Sequence, residues 1–141
     1  MITKASPAKI NLYLRVMGKR EDGYHEILSL MQKIDLCDEM DFRPSAGGIS
    51  VHCPGTTLPE DEGNIVYRAA SVFYSRILRP PAIDISIRKR IPIAAGLGGG
   101  SSNAATTLMT LNGMHGSPLT REELMEIGAG LGADVPFFIF G

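Results

Sequence analysis

Little in this chain points toward an oxidising compartment, a nucleic acid or a membrane. Of its 141 residues only two are cysteine, Cys37 and Cys53, with no Cys-x-x-Cys spacing and no His/Cys cluster. Reduced, structural thiols are expected in place of a disulfide framework or a thiolate metal centre. Lys and Arg number 14 against 15 Asp and Glu, for a formal net charge of −1. No basic stripe or tail gathers the positive charges, so nucleic acid is not an expected partner. No apolar run reaches membrane-spanning length, and Met1-Ile2-Thr3-Lys4 lacks the apolar stretch of a signal peptide; a cytoplasmic chain without membrane contact is expected. Internal repeats and low-complexity segments are lacking as well. What remains is 44% hydrophobic and 21% charged, enough apolar material for one globular domain with a real core.

The most informative segment runs Pro92-Ile93-Ala94-Ala95-Gly96-Leu97-Gly98-Gly99-Gly100-Ser101-Ser102 and continues into Asn103-Ala104-Ala105. It reads as a glycine-rich loop leaving a strand and entering a helix. Backbone N–H groups crowd together at such a junction, and the helix terminus adds partial positive charge. Glycines at 96, 98, 99 and 100 remove the side chains that would hold a ligand off those donors. The product is an anion cradle suited to nucleotide phosphates. It is not a Walker A loop, because Gly100 is followed by Ser101 and Ser102 and no loop lysine exists. Nor does it fit the dinucleotide fingerprint, which wants a third glycine where Ser101 stands and an acidic residue about twenty positions on, where Pro118 lies in a turn.

The surrounding pattern predicts an α+β domain with strands early and helices packed on one face. A strand is expected over 9–16, with Ile10, Leu12, Leu14 and Val16 facing one way and Lys9, Asn11, Tyr13 and Arg15 the other. After a polar turn, Tyr24 and His25 open a strand reaching Ile34, and a weak strand lies near 49–53. Asn64 caps a helix bearing Ile65, Ala69, Val72, Phe73 and Ile77 on one face; Pro80-Pro81 end it. Residues 82–88 alternate cleanly as a strand, and Thr120-Arg121-Glu122-Glu123 is a capping box for a helix running towards Gly130. Val135-Pro136-Phe137-Phe138-Ile139-Phe140-Gly141 reads as a buried strand that stops abruptly, so the chain is expected to be part of a longer polypeptide.

Binding alone is not catalysis, which needs a charge stabiliser and a proton acceptor. Asp134, in Gly132-Ala133-Asp134-Val135-Pro136, suits a base exposed in a cleft and equally an Asp serving its turn. Lys9 is the best-placed cation, with Asn11 beside it, yet its spacing also suits a solvated lysine on a half-buried strand. Tyr24 and His25 could stack on and hydrogen-bond a base or ring. Asn64 is a helix cap with ligand duty as a possible addition, and Glu122 and Glu123 are first-turn helix acids.

Taken together, these segments resemble the GHMP kinase superfamily, whose phosphate loop matches Pro-x-x-x-Gly-Leu-Gly followed by Ser-Ser-x-Ala-Ala. Ser6-Pro7-Ala8-Lys9-Ile10-Asn11-Leu12, Asp22-Gly23-Tyr24-His25, the glycine loop and Gly132-Ala133-Asp134-Val135-Pro136, in that order, are similar to the branch acting on 4-diphosphocytidyl-2-C-methyl-D-erythritol (CDP-methylerythritol). The resemblance covers Ser6 to Gly141. It implies a ribosomal protein S5 domain 2-like fold with a mostly antiparallel sheet, and an ATP-dependent kinase of the non-mevalonate isoprenoid pathway. Residues 92–102 would wrap the ATP phosphates. Asp134 would take the proton of the 2-hydroxyl and Lys9 would orient that hydroxyl. Tyr24 and His25 would recognise cytosine, Asn11 would touch the substrate, and Asn64 and Lys89 would lie near adenine. Mg²⁺ would ride on the phosphates without a protein ligand declaring itself. The resemblance further implies that 1–141 is a first domain whose partner, a C-terminal domain, completes the cleft. The isolated piece is therefore expected to bind ATP poorly, to be slow or inactive, and to self-associate through its uncovered face.

Overall fold

The computed structural model describes residues 1–19 and 25–140, with the backbone alone for 13–19 and 25–29. Four strands, β1 (Ile2–Lys19), β2 (His25–Pro44), β3 (Gly48–His52) and β4 (Ala82–Arg88), form one sheet in the order β1-β2-β4-β3. The β1–β2 and β2–β4 pairs are antiparallel, and β3 lies parallel to β4. A parallel pair needs a crossover, which helix α1 (Ile65–Arg76) supplies. Three further helices follow: α2 (Gly99–Met114), α3 (Arg121–Leu131) and α4 (Val135–Phe140). The α+β class with a mostly antiparallel sheet is thus what the chain adopts.

One core lies between sheet and helices. Met40, Phe42, Val51, Ile83, Ile85 and Ile87 point inward from the sheet and meet Phe73 and Tyr74 of α1 and Leu108 and Leu111 of α2. The opposite face of the sheet is polar, with Arg88 bound to Glu39 and Asp41, and His52 3.1 Å from Asp84. The alternation predicted for β4 is therefore real, and the hydrophobic half of it forms the floor of the core.

Three expectations change. β2 does not stop at Ile34 but continues to Pro44. Its inward positions there are Asp38, Met40 and Phe42, and a charged residue at the first of them hides the period-two pattern. On α1 the inward face is Val66, Ala69, Ala70, Phe73 and Tyr74, whereas Val72 is 41% exposed. The apolar tail is a helix, not a strand. Val135, Phe138 and Ile139 are buried at helical i, i+3, i+4 spacing, and Pro136 stands in the first turn, where its missing N–H leaves no acceptor unmet. A short unbroken apolar run cannot by itself distinguish the two periods.

The capping box of α3 is present as expected, with Thr120 Oγ1 accepting from Glu123 N and the Glu123 carboxylate accepting from Thr120 N. α3 and α4 approach closely at Gly128, where an added Cβ would stand 2.8 Å from Val135 Cγ1 and 3.0 Å from Ile139 Cδ1. Gly128→Ala gains up to about 1 kcal/mol of helix propensity but overpacks a rigid β-branched contact at about 1–3 kcal/mol. The expected net loss is about 1 kcal/mol in urea denaturation; a midpoint at or above that of the parent would show the close approach is not required.

Candidate active site

A register shift in the β1–β2 ladder lies at the site. Pro7 pairs with Cys37 and Lys9 with Lys33, so residues 34–36 of β2 stand opposite Ala8 alone. Such an irregularity breaks the alternation of facing locally. Ala8 and Lys9 are both buried, while Leu12 is 55% exposed. This reverses the expected facing of β1: Lys9 points inward and Leu12 outward. The buried lysine has three anchors. Its backbone N donates to Leu97 O at 2.8 Å, its Nζ donates to Asn11 Oδ1 at 3.3 Å, and its Nζ lies 3.9 Å from Asp134 Oδ2. Asp134 occupies the bend between α3 and α4, with its side chain 40% exposed. A separation of 3.9 Å is an ion pair without a direct hydrogen bond. The cation is therefore enclosed and the carboxylate is open to solvent.

The glycine loop lies directly against Lys9, although neither Lys9 nor Asp134 lines the cavity beside it. Ala94, Gly96 and Gly98 all take positive φ, at 60°, 74° and 71°. Gly98 is required twice over. It is the left-handed N-cap of α2, and a Cβ there would stand 3.0 Å from Lys9 Cγ and 3.0 Å from the Phe138 ring. Helix α2 begins earlier than the sequence pattern implies, at Gly99, so the last two glycines and Ser101 form its first turn. The N–H groups of that turn have no acceptor within the helix, and no acidic side chain stands there to compete for them. They face an open cavity of about 430 Å³. Residues 92–101 line one side of it, and Asn64, Ile65 and Arg68 at the start of α1 line the other, with Lys89 between. The cavity is of the size that takes a nucleoside with phosphates, and donors at a helix terminus suit an anion.

Not every expected residue faces this space. Ser102 is fully buried on the other side of α2, where its hydroxyl pairs with Ser6 Oγ at 2.9 Å. Asn64 lines the cavity, yet its side chain is committed to the fold: Oδ1 accepts from Val66 N and Nδ2 donates to Pro59 O, each at 2.9 Å. Tyr24 lies outside the described residues. His25 opens β2 opposite Lys19, in the last pair of the β1–β2 ladder, and its side chain lies outside the described atoms. No group of three or more His, Cys, Asp or Glu side chains suited to a metal occurs among the described residues. The Cys53 thiol, pushed up by burial and by Glu60, fits the structural reading of the cysteines.

Sequence reasoning missed Asp38. This fully buried carboxylate accepts from Arg90 N at 2.6 Å and Ile91 N at 2.9 Å through Oδ1. Through Oδ2 it accepts from Lys89 Nζ at 2.5 Å and Asn103 Nδ2 at 3.0 Å. Asn103 Nδ2 also donates to Ser6 Oγ at 2.8 Å. The detectable signal was an acid at the inward position of an alternating strand, four residues before Phe42. Burial alone would raise the Asp38 carboxyl, but the bonds from Ile91, Lys89, Arg90 and Asn103 outweigh it and hold the group below its ordinary value of 3.8. A depressed folded-state pKa contributes stability fully above about pH 5 and loses it as pH falls through the ordinary value. The stability gap between the parent and Asp38→Asn is therefore expected to hold above about pH 5 and to shrink as pH falls below it toward the lowered folded-state value; a gap that is constant or grows in acid contradicts this. Gly98→Ala is expected to cost about 2 kcal/mol in denaturant titration, from left-handed strain plus contact with Lys9 and Phe138. An unchanged midpoint would show that the loop relaxes freely there.

Comparison with known proteins agrees with this geometry. The family model described as "GHMP kinases N terminal domain" matches residues 64–141. The chain is 56% identical over 140 residues to the 4-diphosphocytidyl-2-C-methyl-D-erythritol kinase of Syntrophus aciditrophicus, covering 99% of this chain and 50% of that protein. The protein of that name from Geobacter sulfurreducens is 52% identical over 141 residues, with 99% and 50% covered. A crystal structure of 4-(cytidine 5'-diphospho)-2C-methyl-D-erythritol kinase superposes with TM-score 0.85 at 40% identity, over 99% of this chain and 49% of that one. The mevalonate kinase of Methanococcus jannaschii shares the fold alone, at TM-score 0.74 and 16% identity, with 99% and 51% covered. The chain spans about half the length of the curated relatives it matches. By sequence and by fold, it belongs to the GHMP kinases.

Proposed function

We propose that this chain is the nucleotide-binding part of an ATP-dependent kinase that phosphorylates the 2-hydroxyl of CDP-methylerythritol in the non-mevalonate isoprenoid pathway, in the cytoplasm. The observation that carries the reading is the Lys9–Asp134 pair set against a lysine-free phosphate cradle at the N-terminus of α2. The names of relatives at about half identity support the choice of substrate.

Each residue's part follows from its surroundings. The N–H groups of the first turn of α2 would hold the phosphates, and residues 92–97 would wall them from water. ATP would supply the transferable phosphoryl group, held as an anion by the N–H groups of the first turn of α2, and Mg²⁺ carried by its phosphates would neutralise charge. Asp134, open to solvent, would accept the hydroxyl proton as that oxygen bonds to the γ-phosphorus and the γ-phosphorus–oxygen bond to the departing ADP breaks. Lys9, enclosed and fixed by Asn11, would orient that hydroxyl and offset the charge that builds on the transferred group. Asn11 would contact the acceptor, with Tyr24 and His25 on the cytosine. Asn64 and Lys89, which line the cavity, would stand near the adenine. A C-terminal domain would close the acceptor side, and without it the exposed face would favour self-association.

The test is a coupled assay of ATP consumption on the protein expressed from its whole gene, offered CDP-methylerythritol, mevalonate and homoserine in turn. Turnover with the first alone is expected; turnover with either of the others instead assigns a different acceptor. Asp134→Asn is expected to lower kcat about 10²- to 10⁴-fold with ADP affinity kept. Survival of turnover in that variant removes Asp134 as the base.

A further inference from the structure

We propose that Asp38 is a positioning residue for the nucleotide: one buried carboxylate fastens both ends of the phosphate loop and ties them to the strand that carries Lys9. The inference rests on the kinase reading above and adds to it a residue that touches neither the cavity nor the reacting groups.

The loop has two roots, and Asp38 holds both. At its entrance, Oδ1 accepts from two consecutive amides, Arg90 N and Ile91 N, immediately before Pro92. Two amides on one oxygen fix the direction in which the chain leaves β4, because neither can rotate without losing its bond. At its exit, Oδ2 accepts from Asn103 Nδ2, which stands on α2 just after the glycine turn. The distance between the roots is therefore set through one rigid carboxylate. A flexible glycine segment needs such a constraint, since Gly96, Gly98, Gly99 and Gly100 resist displacement poorly on their own.

The same oxygen handles a charge. Oδ2 also binds Lys89 Nζ at 2.5 Å, and Lys89 Nζ in turn donates to Asn103 Oδ1 at 3.2 Å. Lys89 lines the cavity, and a Cβ at Gly99 would stand 3.2 Å from its Nζ. The carboxylate thus fixes where this ammonium sits relative to the helix turn. Finally, Asn103 Nδ2 reaches Ser6 Oγ, and Ser6 pairs with Ser102, so the network continues into β1 three residues before Lys9. Loop, cavity lysine and catalytic strand share one fixed point.

Asp38→Asn keeps the shape and an oxygen for the two amides. It places an amide NH₂ where Oδ2 met Lys89 and Asn103, so the exit root and the ammonium are released. In the protein expressed from its whole gene, the KM for ATP is expected to rise about tenfold or more, with kcat and the KM for CDP-methylerythritol within about threefold. A merely structural role would lower the active fraction, and with it the apparent kcat, and leave the KM for ATP in place. Asn103→Ser, which removes the exit root together with the Asn103 bonds to Lys89 and Ser6 but leaves the carboxylate on Arg90 N, Ile91 N and Lys89, is the second variant and is expected to shift the KM for ATP in the same direction. Calorimetric titration with ADP reads the same effect without turnover. If the parent binds ADP and either folded variant binds it equally well, the inference fails while the kinase reading stands. If neither variant folds, the inference also fails, because the carboxylate then holds the fold and not the loop. A parent protein that binds no nucleotide ends both.

Discussion

Everything functional here depends on the close approach of β1 to the glycine loop. Lys9 N bonded to Leu97 O, and the Lys9 stem packed at Gly98, bring a buried ammonium to the edge of a helix terminus. Only glycine permits that contact, on grounds of both conformation and space. The same contact explains why the cation comes from a strand. In a loop without its own lysine the charge must arrive from another element, and Lys9 arrives beside the register shift where three residues of β2 stand opposite Ala8.

The site is accordingly assembled from pieces far apart in sequence. β1 brings Lys9 and Asn11, the α3–α4 bend brings Asp134, and α1 and the loop supply the opposing cavity walls. Phosphoryl transfer suits such a composite, because it asks for positioning and charge compensation more than for covalent chemistry. Under the proposed function, an enclosed lysine beside an open carboxylate would divide those two tasks between neighbours of opposite exposure.

What could be read from the sequence follows the range of each interaction. The glycine loop, the Asn64 and Thr120 caps and the alternation of β4 are local, and the residues that define them are contiguous. The facing of Lys9 was not legible, because a register shift belongs to a pair of strands and leaves Ile10-x-Leu12 looking like an apolar face. Asp38 was hidden for a related reason: its partners are 51 to 65 residues away. An acid on a strand is ordinarily assigned to water. The tail at 135–140 failed on period, since six apolar residues satisfy helix and strand alike until Gly128 of the neighbouring helix is known to admit them.

The absence of a lysine within the glycine loop carries a thermodynamic consequence. A loop that holds its own cation can bind an anion as a nearly autonomous unit. Here the N–H groups open to an anion belong to the first turn of α2, and the loop and helix that carry them are held by β1 and β2 through buried bonds. An anion in the cavity is therefore linked to the unfolding of the domain as a unit, and its affinity appears in global stability through mass action. Occupancy and foldedness become two readings of one equilibrium.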